Sequence, residues 1–268
     1  MKRTLRGLLK LPVTFYKSLT SFKYYKVLAK MPVSRAIGYL VVVSLLFSFI
    51  AVIPSAVEVS RSSKEFYREY EQNAPDFEIK DGIMTTGVGE PVFMIDQPGK
   101  ALAVVFDETD TLNKSSLNEY QSVLLMDSDS VYIKSPVTDQ DMPYSAIFPA
   151  DIDKESFTAY LGLVNIINIL FLGFFVVMFI LLNMLGAFFI ASVGNLLLTF
   201  KKIRIEFSRA YAIACYASTL PIILKTLRHL FMVNIMFFDI IYVLIGILYF
   251  WNAVNNIINN SIPREMNV

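Results

Sequence analysis

Hydrophobic and polar positions along this chain separate on the scale of whole segments. Between Arg35 and Glu58 lie 22 residues without a charge, and between Glu155 and Lys201 another 45. At ~1.5 Å per residue, residues 36–57 are long enough to cross a ~30 Å hydrocarbon layer as a helix, and they predict a first span ending near Pro54. The second run would make about 67 Å of helix, enough for two crossings or for one long helix. A third apolar segment, from Ala210 to about His229, predicts a span kinked at Pro221, because proline removes a hydrogen bond and clashes one turn back. A fourth, residues 230–251, places Trp251 at headgroup level, and an Asn-rich tail follows.

The polar block between the two runs, residues 58–155, shows shorter periods. Residues 62–73 predict a helix, with Ser62 or Ser63 as cap and Phe66 and Tyr70 one turn apart. After Pro75 the stretch Phe77-Glu78-Ile79-Lys80 alternates and ends at Asp81-Gly82, a hairpin signal. Residues 92–95, 101–106 and 131–134 predict further strands, and residues 117–126 fit a helix or a strand. Together they predict a small α+β domain. In the N-terminal arm, Phe15, Leu19 and Phe22 recur at helical spacing among Lys17, Lys23 and Lys26, bounded by Pro12 and Pro32. That pattern fits an amphipathic helix on an anionic leaflet, or a plain basic tail that sets orientation.

Charge fixes the expected orientation. The composition, 55% hydrophobic and 18% charged, departs from that of soluble domains. Residues 1–35 hold nine Lys or Arg and no acid, whereas residues 58–155 hold 20 acidic against 8 basic side chains, a local net charge of −12. Basic residues flanking a span stay in the cytoplasm, so the N-terminus is expected inside and the acidic block outside. A cleaved signal peptide would have a shorter basic region and an apolar run of roughly 7–15 residues, so a signal anchor is expected. Lys201, Lys202, Arg204 and Arg209, against Glu206 alone, also belong inside. Residues 156–200 are therefore expected to cross once, over about 160–183, and to continue as a helix whose Gly186, Ala187, Ala191, Ser192 and Gly194 permit close helix contact. The expectation is an α-helical integral membrane protein of the cell membrane, multi-pass, with about four transmembrane helices and both termini inside. A small α+β extracytoplasmic domain is inserted between helices 1 and 2. The parts are an arm (1–35), the first helix (36–57), the acidic domain (58–155), three further helices (156–251) and a cytoplasmic tail (252–268).

Candidate chemistry is sparse. Asp127-x-Asp129, Asp139-x-Asp141 and Asp151-x-Asp153 recur at a spacing of 12, with Asp107, Glu108 and Asp110 upstream. They lack the calcium-loop order of acids, glycine and distal glutamate, and such pairs commonly bond their own backbone in turns. Gly87-Val88-Gly89-Glu90-Pro91 lacks the third glycine and following helix of a dinucleotide loop, and no phosphate-loop or nucleophile-elbow motif occurs. Cys215 is the only cysteine, which excludes an internal disulfide. No catalytic, cofactor-binding or metal-binding set is therefore expected, and no cofactor. Asp239, nine residues into the fourth predicted span, is the costliest charge. It defines a candidate intramembrane polar site with Asn165, Asn168, Asn183, His229 and Arg228, and with Lys225 beside them. Helix-to-helix hydrogen bonding is the structural reading of the same residues.

The arm LLKLPVTFYKSLTSFKYYKVLAKMPVSRAIGYL, then DFEIKDGIM and VVFDETDTL, resembles a family of Gram-positive integral membrane proteins, some labelled maltodextrin-utilisation proteins. LLLTFKKIRIEFSRAYAIACYASTLPIIL is similar to the core of the Yip1-type membrane fold, through Phe207, Tyr216 and Pro221. The resemblance implies a link to sugar-uptake operons and an ABC transporter. The expected function is non-enzymatic: an outer domain that senses or docks a partner, with the lipid bilayer and a membrane transport complex as partners and no nucleic acid. The alternative is a small membrane transporter or channel lined by Asp239 and the asparagines.

Overall fold

The computed structural model describes residues 11–96 and 101–259. The arm's first four basic residues, Lys2, Arg3, Arg6 and Lys10, and most of the Asn-rich tail lie outside them. In chain order the elements begin with helices α1 (Leu11–Thr20), α2 (Tyr25–Leu28) and α3 (Val33–Asn73). Strands β1 (Glu78–Lys80), β2 (Ile83–Thr85), β3 (Val92–Asp96) and β4 (Leu102–Phe106) follow. A 3₁₀ helix, Lys114–Glu119, leads to β5 (Ser122–Met126), β6 (Ser130–Ser135) and β7 (Thr138–Pro143). The short helix α4 (Tyr144–Ile147) and strand β8 (Ile152–Asp153) precede α5 (Lys154–Phe200), α6 (Phe207–Ala217), α7 (Thr219–Leu230) and α8 (Phe238–Asn259). The chain divides into two compact units, a polar unit of Glu58–Ile169 and a helical unit of Met1–Val57 with Leu170–Val268.

Among the described residues, α3, α5 and α8 are long and apolar enough to cross a membrane, and the bent pair α6–α7 makes a fourth if it is one span. Several sequence boundaries shift. Helix α3 continues past the predicted end of the first span near Pro54, to Asn73, while the N-terminal part of the helical unit ends at Val57. Ser62 and Ser63, expected to cap a separate helix, are therefore mid-helix, in a stretch laced by the Arg61–Glu65 pair at 2.9 Å. Residues 154–200 form one unbroken helix. The third segment breaks at Ser218, with a 41° bend. Pro221, in the first turn of α7, has no N–H to give the Ala217 carbonyl, and the chain restarts from Ser218, whose carbonyl accepts from Ile222 N at 2.9 Å. The fourth helix begins at Phe238, not Leu230, because Met232 and Phe237 adopt left-handed backbone (φ 51° and 59°) and turn the chain between α7 and α8.

Within the helical unit, small residues set the spacing. α6 buries Ala210, Ala212, Ala214, Cys215 and Ala217. A methyl on Gly186 would stand 2.6 Å from the Tyr242 ring, one on Gly246 2.1 Å from Ile190, and one on Gly194 2.5 Å from the Phe250 ring. Each glycine of one helix thus receives a large side chain of the other, and the pairs advance together along both chains. α5 and α8 therefore run parallel. The arm's apolar residues, expected against lipid, meet protein instead: Phe15 stacks on Phe47 and Phe22 lies against Tyr25 and Tyr249. Ser18 reaches a buried hydroxyl cluster, 3.1 Å from Tyr39 Oη and 3.2 Å from Thr219 Oγ1, with Tyr39 and Thr219 2.9 Å apart.

The polar unit holds two sheets. β2-β1-β8 is antiparallel, and its β1–β2 hairpin turns on Asp81 and Gly82, both at positive φ as a type I′ turn requires. The second sheet has order β3-β4-β5-β6-β7, with β4 and β5 parallel. Alternation assigns its two faces. Ala103, Val105, Val123 and Leu125 pack beneath Leu117 and Tyr120 of the 3₁₀ crossover. Val104, Phe106, Met126 and Val131 face Tyr70, Phe77, Ile79 and Tyr144. The ambiguous residues 117–126 resolve into the end of the crossover and a strand. β7, with the polar sequence TDQDMP, pairs along an edge that gives no hydrophobic signal.

Candidate functional site

A groove of about 920 Å³ opens in the polar unit on the second sheet-face. Its floor is Leu102 and Leu124, at alternate positions of the parallel strands, together with Met94 and Ile95. A register shift between Phe93 and Ile95 is what buries those two consecutive residues, since a bulge breaks the strict alternation. One wall is the α3 face carrying Ser62, Phe66 and Glu69; the other is Phe157 and Leu161, one turn apart on α5. Arg68, Glu65 and Asp96 belong to the lining as well. Phe157 is held by the rings of Tyr70 (5.6 Å), Phe77 (5.6 Å) and Phe148 (6.1 Å). Tyr70 Oη donates to the Lys154 carbonyl at 2.8 Å and Lys154 Nζ donates to the Ala74 carbonyl at 2.6 Å, which fixes both walls to each other. Burial pushes the Tyr70 phenol up to about 12. The groove is thus an apolar surface with charged residues in its lining.

Several acidic residues of this unit are bonded to its own backbone and lysines. Glu108 accepts from the amides of Thr86, Gly87 (3.0 Å) and Gly89 (2.9 Å), and these bonds hold its carboxyl below the usual range. The Gly87–Gly89 loop is a cradle for that side chain, both glycines at positive φ. Asp107, fully buried, accepts from Thr109 N (3.0 Å) and Leu112 N (2.7 Å), and Asp110 from Ser128 N (3.0 Å). Lys114 bridges Asp127 (3.1 Å) and Asp141. Burial raises the Asp127 carboxyl against the pull of Lys114, whereas Lys114 lowers the more exposed Asp141. Asp153 caps α5 through Ser156 N at 2.7 Å. Among the described residues, no three His, Cys, Asp or Glu side chains gather as metal ligands.

Of the polar set expected inside the membrane, Asp239 and Arg228 lie within electrostatic reach of both Lys225 and His229. Asp239 is exposed in the first turn of α8, where its charge complements the helix dipole, and not nine residues into a span. Asn168 is half-buried on α5 in the polar unit, whereas Asn183 belongs to the helical unit; the Asn165 side chain lies outside the described ones. Asn183 is fully buried and donates to Ser44 Oγ at 3.2 Å. His229 meets the edges of Phe175 (5.5 Å) and Phe179 (6.2 Å), and Arg228 lies over Phe238 (5.0 Å) while its Nε donates to the Val233 carbonyl at 3.3 Å. Sequence reasoning missed the Ser18–Tyr39–Thr219 cluster. Its signal was the helical spacing of Thr14 and Ser18, both buried, on the basic arm.

No curated protein and no solved structure matches the chain. One family profile does, over residues 13–254, under the description "Protein of unknown function (DUF1189)". That match covers most of the sequence and carries no tie to maltodextrin utilisation or to the Yip1-type fold. The chain belongs to the DUF1189 family.

Proposed function

We propose that this chain is a non-enzymatic membrane protein with four crossings and both termini in the cytoplasm, whose extracytoplasmic domain docks an apolar segment of a partner membrane protein. The groove on β3, β4 and β5 carries the reading. Its half-buried Phe66, Leu102, Leu124, Phe157 and Leu161 leave apolar surface for an occupant, with Glu65, Arg68 and Asp96 in the lining beside them. An apolar floor suits a hydrophobic side chain better than the hydroxyls of a sugar, so a sugar-uptake role would run through a transporter subunit and not through a bound maltodextrin.

Two observations support the crossing pattern. The parallel course of α5 and α8 fits one return span between them, which the bent α6–α7 pair makes if it is a single span. Lys201 Nζ lies 4.3 Å from the Trp251 ring, so the end of α5 is level with Trp251, about two turns before the end of α8, which suits a shared headgroup level. The alternative, a small transporter lined by Asp239 and the asparagines, has less support, because Asp239 is exposed in the first turn of α8 and Asn183 is bonded to Ser44.

The test is a groove variant in the full-length protein. Leu124→Glu places a charge on the apolar floor and should abolish association with the partner found beside wild type in native membranes. Val137→Glu, at a position 94% exposed, should leave it intact. Equal association by both variants would defeat the docking reading. Impermeant thiol labelling of Ile205→Cys in sealed cells would overturn the four crossings.

A further inference from the structure

The helical unit holds three buried polar groups with unused hydrogen-bonding capacity at one level. Lys225 on α7 is 8% exposed, and its Nζ lies between the rings of Phe179 (5.1 Å) and Tyr242 (5.8 Å). Among the described residues, no carboxylate pairs with it. Asp239 acts on it only at a distance, from an exposed helix end. Tyr242 Oη and Asn183 Oδ1 are the two buried side-chain atoms, among the described residues, without a hydrogen-bond partner. Ser218 Oγ lies near Tyr242 and donates to the Ala214 carbonyl at 2.8 Å, so towards the tyrosine it offers only an acceptor. Phe179, Asn183 and Gly186 recur at i, i+4 and i+7 and share one face of α5. Tyr242 Oη lies 3.2 Å from the place a Gly186 side chain would begin, so any side chain on Gly186 would run into the tyrosine.

Buried polar groups are nearly always paired, and unpaired ones concentrated around a lysine call for a bound species. Aromatic faces attract the ammonium but accept no hydrogen bond along its N–H axes in the way an anion does. We propose that Lys225, Tyr242 and Asn183 form a site for a small anion, a halide or a carboxylate. Lys225 and the Tyr242 hydroxyl donate to it. A half-turn of the Asn183 amide lets the Ser44 hydroxyl donate to Oδ1 and presents Nδ2 as a third donor, which a hydroxyl partner permits because it both donates and accepts. Arg228 is not part of the site, being held by Phe238 and the Val233 carbonyl. The site is independent of the groove.

Thermal unfolding of the full chain in detergent, with chloride, bromide or acetate replacing gluconate at fixed ionic strength, tests this. Halide or acetate should raise the midpoint by roughly 2–4 °C, the shift expected for a chain of this size when a modest ligand saturates. The response should vanish in Lys225→Met, weaken in Tyr242→Phe and persist in Arg228→Gln. A response to bromide without acetate, or the reverse, identifies the class of anion. No response to either, or an undiminished one in Lys225→Met, overturns the site. Should Lys225→Met fail to fold, anomalous scattering from wild-type crystals grown in bromide decides: a peak at Lys225 Nζ supports the proposal, and none there refutes it.

Discussion

The glycines of α5 offer a controlled test of how the helical unit is held together. Gly194 and Gly173 lie on the same helix in the same unit, and only their surroundings differ. A Cβ at Gly173 meets nothing within 4 Å, whereas one at Gly194 would stand 2.5 Å from both Cδ1 and Cε1 of Phe250. Carbon atoms rest at ~3.5–4.0 Å, so about 1 Å must be opened against a rigid ring that is fully buried. Replacing Gly by Ala in a helix gains ~0.8–1.0 kcal/mol of intrinsic propensity at either position. The difference between the two variants isolates the steric term, and overpacking of this kind costs ~1–3 kcal/mol. Gly194→Ala should therefore unfold about 1–3 kcal/mol less stably than Gly173→Ala in a detergent-micelle denaturation, roughly 2–4 °C per kcal/mol on a thermal scan. Phe250→Leu in the Gly194→Ala background should recover most of that loss, a coupling visible in a double-mutant cycle. Equal stability of the two alanine variants, or additivity with Phe250→Leu, would refute the interlocking of α5 with α8.

Three further outcomes follow from individual side chains. Because its amide partners lower its folded pKa, Glu108 stabilises the Thr86–Gly89 loop above the ordinary carboxylate pKa, and that contribution is lost as pH falls through the lower folded value. Glu108→Gln should flatten the acid limb of the stability curve, and an unchanged limb would contradict the cradle. Asp239→Asn should shift unfolding by no more than ~1 kcal/mol, the scale of a charge at a helix terminus, whereas a change of several kcal/mol would restore the mid-span reading. Thr219→Val should destabilise the protein by ~1–3 kcal/mol in the same denaturation assay, since it removes a partner of both Ser18 and Tyr39, and a neutral result would argue against the buried cluster.

Much of the architecture was legible because its signals are local. The uncharged runs mark the long helices, Asp81-Gly82 marks the first hairpin, and alternation marks β3, β4 and β6. What escaped depends on partners distant in sequence. The start of α8 is set by left-handed turns at Met232 and Phe237, which no hydropathy pattern encodes, so the sequence pattern places Asp239 deeper in a helix than the first turn it occupies. β7 is recruited by backbone pairing with β6 despite a largely polar sequence. The groove exists because residues from 62–69, 94–124 and 157–161 converge, and its Met94–Ile95 floor depends on a bulge. Glu108 was legible as an acid but not as the partner of amides some 20 residues away.

The most direct test of the docking surface is a photocrosslinking residue placed at Leu124 and, as a control, at Val137, in the full-length protein in native membranes. Light should attach a single membrane-protein partner at position 124 and nothing at position 137, and Phe66→Asp should abolish the adduct. Absence of an adduct at position 124, or equal adducts at both positions, would contradict the central claim that the groove is where a partner binds.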